Sequence, residues 1–177
     1  AENALSGTRL PMNQKQYGVS LGGPVARDRT FFFSNFEQRR LDQTELVTVP
    51  IDTVSAINAR LQAVGYPGAA VSTGEYPNPV DSTNVLGKID HQLDGRDQLG
   101  VRYSLYKVSS INSRGAGGTS TPSASAGLDN IDQSIAVSNT RTLSARTVNE
   151  TRAQFSDGDL KAPSTDLIGP AVSISGV

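Results

Sequence analysis

The chain has 177 residues, a formal net charge of −1, 36% hydrophobic and 19% charged residues, one histidine and no cysteine. The balanced charge, without a basic stripe, gives nucleic acid no electrostatic footing, and the missing cysteines exclude disulfides and thiolate metal sites. No apolar run approaches the roughly 18 residues that a membrane helix needs, which leaves membrane strands of about 9–11 residues open. The chain starts at Ala1 without a charged-then-apolar leader and ends in small residues at Val177, so a piece of a longer protein is expected.

Residues 1–13, with Gly7 and Pro11, read as the tail of a loop. The chain then alternates. Tyr17, Val19, Leu21 and Val25 fall on one face, and Gln16, Gly18, Ser20 and Gly22 on the other, the mark of a strand with one apolar side. Pro24 lacks an N–H and belongs at the strand end. Ala26-Arg27-Asp28-Arg29 makes a turn, and a second strand opens at Thr30 with Phe31, Phe32 and Phe33. Aromatics beside a charged turn suit a membrane–water interface.

Residues 40–83 read as a long connection. Within it Val54, Ile57, Leu61 and Val64 lie at helical spacing, with Asp52 or Thr53 to cap the start and Gly65 and Pro67 to stop it, which predicts a helix over about 53–64. The next hairpin is the clearest. Val85, Gly87, Ile89, His91 and Leu93 share a face with Leu99, Val101, Tyr103 and Leu105 of the return strand, and Asp94-Gly95 is a strong turn signal. The other face carries the charges, with Leu86 out of pattern. Residues 109–130, rich in Gly and Ser, read as a flexible loop. A strand over 132–143, its facing open, turns at Ser144-Ala145-Arg146 and returns over 147–155. There Val148, Glu150, Arg152 and Gln154 oppose Asn149, Thr151, Ala153 and Phe155.

Short turns near 26–29, 94–97 and 144–146 thus alternate with long connections at 40–83 and 109–131. Outer-membrane barrels alternate in this way, with tight periplasmic turns and long external loops. The expected fold is all-β: an antiparallel up-and-down meander of about six strands, near 14–25, 30–40, 84–93, 98–108, 132–143 and 147–156, with one short loop helix. It would be one partial transmembrane β-barrel. The alternative is a secreted or surface all-β binding or adhesion module, in which a second sheet would bury Val101, Tyr103 and Leu105.

The stretch QYGVSLGGPVARDRTFFFSNFEQRR resembles the early barrel hairpin of TonB-dependent outer-membrane receptors of the Oar-like group. It has the glycine-rich LGGP strand, the charged turn, the FFF run and the aromatic-Glu step Phe36-Glu37. NVLGKIDHQLDGRDQLGVRYSLY is similar to the same family's N-x-x-G-(Arg/Lys)-I-D-H strand, Asp-rich turn and R-Y-S strand, and TRTLSARTVNETRAQF to its T-F-S turn and V-N-E-x-R strand. Leu143, Thr151 and Ala153 stand where the family has an aromatic or larger apolar residues, which thins the lipid face of the last hairpin. The resemblance implies an outer-membrane location and energy-coupled uptake of a large solute, whether siderophore, glycan or peptide. It implies contact with outer-membrane lipid and with a plug domain of the same full-length protein. The TonB complex would be met through segments outside these 177 residues.

Candidate chemistry is sparse, and neither an enzyme nor a cofactor is expected. Gly18-Val19-Ser20-Leu21-Gly22 matches the G-x-S-x-G elbow, but Gly22-Gly23-Pro24 cannot start the helix that the elbow needs. A serine hydrolase would need a contact between Ser20 and His91, the single histidine, which otherwise reads as an interfacial residue near a turn. Gly115–Gly118 lacks the Gly-Lys-Ser/Thr ending of a phosphate loop. The sequon Asn149-Glu150-Thr151 sits in a strand. The residues singled out are Glu37, Arg39, Lys88, Asp90, Arg102, Glu150 and Arg152, all on the polar face of their strands. In a barrel that face lines the lumen, where charges pair across strands, support a plug or touch solute.

Overall fold

The computed structural model describes residue 7 and residues 9–168. The strands are β1 (Met12–Ala26), β2 (Thr30–Val47), β3 (Gly74–Pro77), β4 (Val80–Asp94), β5 (Asp97–Arg114), β6 (Ala126–Ser144) and β7 (Thr147–Lys161), with one helix, α1 (Ile51–Ala63). All pairings are antiparallel, and the strand order is β1-β2-β4-β5-β6-β7 with β3 also on β2. The sheet is open, with β1 and β7 at its edges and the whole of β7 exposed. This is the expected all-β meander. No second sheet covers it among the described residues, and Tyr103 stays 38% exposed. The packing that an adhesion module requires is therefore missing from these residues.

The strands outrun their sequence signal. β5 continues to Arg114 and β6 starts at Ala126, in stretches read as loop, and β7 runs on to Lys161. These extensions are polar or Gly/Ser-rich, so no face alternates there. β3 is a further strand, in the same register on β2 as β4: Thr44 faces Pro77, and Leu41 faces Val80. The two are one line broken at Asn78-Pro79, where Asn78 N still donates to Gln43 O at 2.8 Å. The helix begins at Ile51, earlier than its spacing suggested. Its N-cap is Pro50 and has no side-chain cap bond, while Asp52 Oδ1 accepts from Thr53 N.

Every short turn is preceded by a bulge. The register slips at Val25, Leu93 and Leu143, each unpaired in its ladder. Asp28 in the first turn has φ 61, a left-handed conformation that Asp tolerates. Gly95 does not use positive φ, so the Asp-Gly turn is not the mirror-image type that such a pair favours. The bulge, which raises local twist, reconciles that turn with the twisted strands.

The sheet has no core of its own. Apolar burial is found instead among the long connections. Val47, Val54 and Tyr76 are 2%, 4% and 6% exposed, and come from β2, α1 and β3. The Gly-rich stretch is a clasp on this cap rather than a free loop. Gly118 N donates to Leu46 O at 3.0 Å, and Thr48 N to Gly118 O at 2.7 Å. Gly117 and Gly118 hold φ 107 and 59, which a side chain would resist. Below them Tyr76 donates its hydroxyl to Glu45 Oε2 at 3.0 Å. Burial, then that bond and the Glu45 charge, push the phenol up to about 12.

Two predictions follow from this packing. A Cβ on Gly18 would lie 2.5 Å from Phe36 O, whereas one on Gly87 would meet nothing within 4 Å. Gly18→Val should therefore lower urea stability of the folded protein by about 1–3 kcal/mol, with Gly87→Val near neutral; equal losses would refute the close approach. For Tyr76 the folded pKa lies above the ordinary value of about 10, so its contribution is complete below pH 10 and lost as pH rises from about 10 to about 12. Proteolysis of the 48–79 connection should accelerate across that window, and Tyr76→Phe should abolish the pH dependence there.

Candidate functional site: the two faces of one sheet

In an antiparallel ladder, directly opposed residues share a face. Following the pairs across the strands gives rows. Val19, Phe36, Val85 and Leu105 form one, and Phe32, Ile89, Val101 and Val137 another. Between them lie Leu21, Tyr103, Ile135 and Phe155. This apolar face is bare, with Val19 65% and Phe155 69% exposed. The open facing of β6 is settled by its pairs: Ile135 and Val137 join the apolar side. Over β6 and β7 the side thins, since Gln133, Asn139, Thr151 and Asp157 stand in it, as the small residues of that hairpin suggested.

Several polar groups within the apolar face pair with one another. Thr30 Oγ1 and His91 Nδ1 are 2.8 Å apart, Thr83 donates to Gln38 Oε1 at 2.7 Å, and Tyr103 donates to Gln133 Oε1 at 2.7 Å. Asn139 donates to Asp97 Oδ1 at 2.6 Å. Water would make these bonds unnecessary; hydrocarbon makes an unmade one expensive. His91 thus sits beside a turn on the apolar side. Ser20 lies on the opposite side, mid-strand, bonded to Asn35 at 2.7 Å. The two are not brought together, and no helix starts at Leu21.

The seven singled-out residues all fall on the other face. Their direct partners place them there: Glu37 opposite Asn84, Arg39 opposite Ser82, Lys88 opposite Arg102, Asp90 opposite Gly100, Glu150 opposite Thr140 and Arg152 opposite Ser138. Their ion pairs run along strands, not across them. Lys88 Nζ meets Asp90 Oδ2 at 2.8 Å, and Arg152 Nη2 meets Glu150 Oε1 at 2.6 Å. Across the ladder Lys88 faces a like charge, Arg102, an arrangement that destabilises unless something else compensates. Glu37, Arg39 and Arg102 form no ion pair among the described residues. No group of three His, Cys, Asp or Glu that could hold a metal is found among them either.

Sequence reasoning missed the part of this face that holds no basic residue. A shallow trough of about 590 Å³ crosses β2, β4, β5, β6 and β7, and Asn35, Asn84, Ser104, Tyr106, Asp132 and Ser134 are among its lining residues. Ser104 and Ser134 bond each other at 2.8 Å. Asp132 leans over Gly158, where a Cβ would come within 2.8 Å of its Oδ1. No motif marks these residues; only the pairing collects them.

The two ends of the sheet also differ. The turns 27–29, 95–96 and 145–146 lie at one end, and α1, β3 and the 115–125 connection at the other. No helix among the described residues is long and apolar enough to cross a membrane. The sheet thus pairs an apolar face, several of whose polar groups bond one another, with a charged face and an asymmetric loop arrangement. The family model described as an outer membrane beta barrel domain matches the chain over residues 1–70 and 55–173. No curated protein and no solved structure matches it. The chain therefore belongs to the outer membrane beta barrel domain family and is a β-barrel segment of the outer membrane.

Proposed function

We propose that this chain is barrel wall from a TonB-dependent transporter of the Oar-like group, carrying a large solute across the outer membrane. The observation that supports this reading most is the charged face. Arg102 opposes Lys88, and Arg102, Glu37 and Arg39 lack ion-pair partners among the described residues. Charges left this way in a lumen need partners from outside the sheet. A plug domain of the same full-length protein supplies them in the closed state, and solute or water when the plug shifts. The LGGP, FFF and R-Y-S stretches, which resemble that group, agree with it. In this reading Glu37, Arg39, Lys88, Asp90, Arg102, Glu150 and Arg152 line the lumen and perform no covalent chemistry.

The full-length protein should be closed in planar bilayers and should bind the periplasmic domain of TonB. A steadily conducting pore that ignores TonB would overturn the transporter reading while leaving the barrel intact. Facing is tested separately. Val101→Arg, on the apolar side, should cost about 2–4 kcal/mol in urea-controlled insertion into vesicles, the penalty of a cation near the bilayer midplane. Ser104→Arg, on the lumen side, should cost far less; the reverse order would show the assigned faces to be exchanged.

A further inference from the structure

The three short turns share a design that the transport reading does not use. Each ends in an arginine directly before the return strand: Arg29 before Thr30, Arg96 before Asp97, and Arg146 before Thr147. The first two are equivalent in backbone bonding as well. Arg29 O accepts from Gln92 N of the next hairpin at 2.7 Å, and Arg96 O accepts from Thr142 N at 2.8 Å. Each turn is also preceded by its unpaired aliphatic residue, Val25, Leu93 or Leu143, respectively 70%, 46% and 56% exposed.

The guanidinium groups are not consumed within the sheet. Arg29, Arg96 and Arg146 are exposed, and none of them has an ion-pair partner among the described residues. The first turn adds a further arginine, Arg27, next to Asp28. The neighbouring carboxylates of the second turn are already engaged: Asp94 Oδ1 accepts from Arg96 N at 2.7 Å, while Asp97 accepts from Asn139 and lies 3.9 Å from Arg141. Adjacent turns are two strands apart, about 10 Å at the usual strand spacing, which is close to the lateral size of a lipid headgroup. The rim thus repeats one unit: an exposed, unpaired aliphatic residue before a turn and an exposed arginine at the turn's end.

We propose that this rim is a binding row for the phosphates of anionic glycerophospholipid in the leaflet at the turn end. The aliphatic residues lie along the upper acyl chains and the arginines take the headgroup phosphates. Arginine suits this role because its planar fork gives a phosphate two parallel bonds. The proposal rests on the outer-membrane reading, in which the short turns face the periplasm.

The test uses the full-length protein purified in detergent and native mass spectrometry, with phosphatidylglycerol and phosphatidylcholine added as competing probes. Wild type should retain phosphatidylglycerol preferentially. Arg29→Gln, Arg96→Gln and Arg146→Gln should each lower that preference, by roughly fivefold per arginine at most, and the triple variant should abolish it. Lys15→Gln with Arg40→Gln, at the other end of the sheet, should leave it unchanged. Equal retention of the two lipids by wild type, or an undiminished preference in the triple variant, overturns the proposal. Displacement of the lipid by inorganic phosphate at equal phosphate concentration overturns it in favour of a soluble-anion site. A protein that inserts into vesicles but shows no preference refutes the rim alone. One that does not insert at all refutes the outer-membrane reading with it.

Discussion

The separation of the two faces, and any function built on it, depends on strand register. Side chains alternate with a period of two, so a one-residue slip in any ladder would exchange the two faces of that strand. In water such a slip costs part of a core. In a bilayer it would set Arg102 and Lys88 against acyl chains and Val101 and Ile89 against a polar lumen. The pairings of Ile89 with Val101 and of Val101 with Val137 are consistent with that demand. So are the side-chain bonds within the apolar face, which occupy hydroxyl, amide and imidazole groups that lipid could not solvate.

How much of this was readable in the amino-acid order differs by region. The hairpin at Val85–Leu105 was legible because both of its strands alternate over their full membrane-spanning length and a turn pair separates them. The extensions 109–114 and 126–131 were not, because Ser-Ser-Ile-Asn-Ser-Arg and Ala-Gly-Leu-Asp-Asn-Ile do not alternate apolar with polar residues, and the signal that reveals a strand vanishes there. β3 was hidden for a different reason. Four residues ending in a proline carry no periodicity, and only the continuity of its register with β4 shows that it is the same line.

The candidate site divides in the same way. Charged residues on one parity of a strand are visible to anyone counting by twos, and all seven fell on one face. Their pairing was not visible. Lys88 and Asp90 are two apart on one strand, and so are Glu150 and Arg152, and both pairs close along the strand rather than across it. The trough around Tyr106 and Asp132 was invisible because serine and asparagine are common on any polar face. Their collection into one concavity is a property of the sheet and not of any segment.

The cap formed by the long connections has a consequence for how the two connections are held together. Val47, Val54, Tyr76 and the Gly118 clasp are contributed by β2, α1, β3 and the connection after β5. β2, α1 and β3 follow one another in the chain and β3 pairs directly with β2, so that part of the cap closes locally, whereas the Gly118 clasp reaches Leu46 and Thr48 from beyond β5. The clasp therefore ties the connection after β5 back to the end of β2, two strands away in the sheet, and pins both long connections with one pair of backbone bonds.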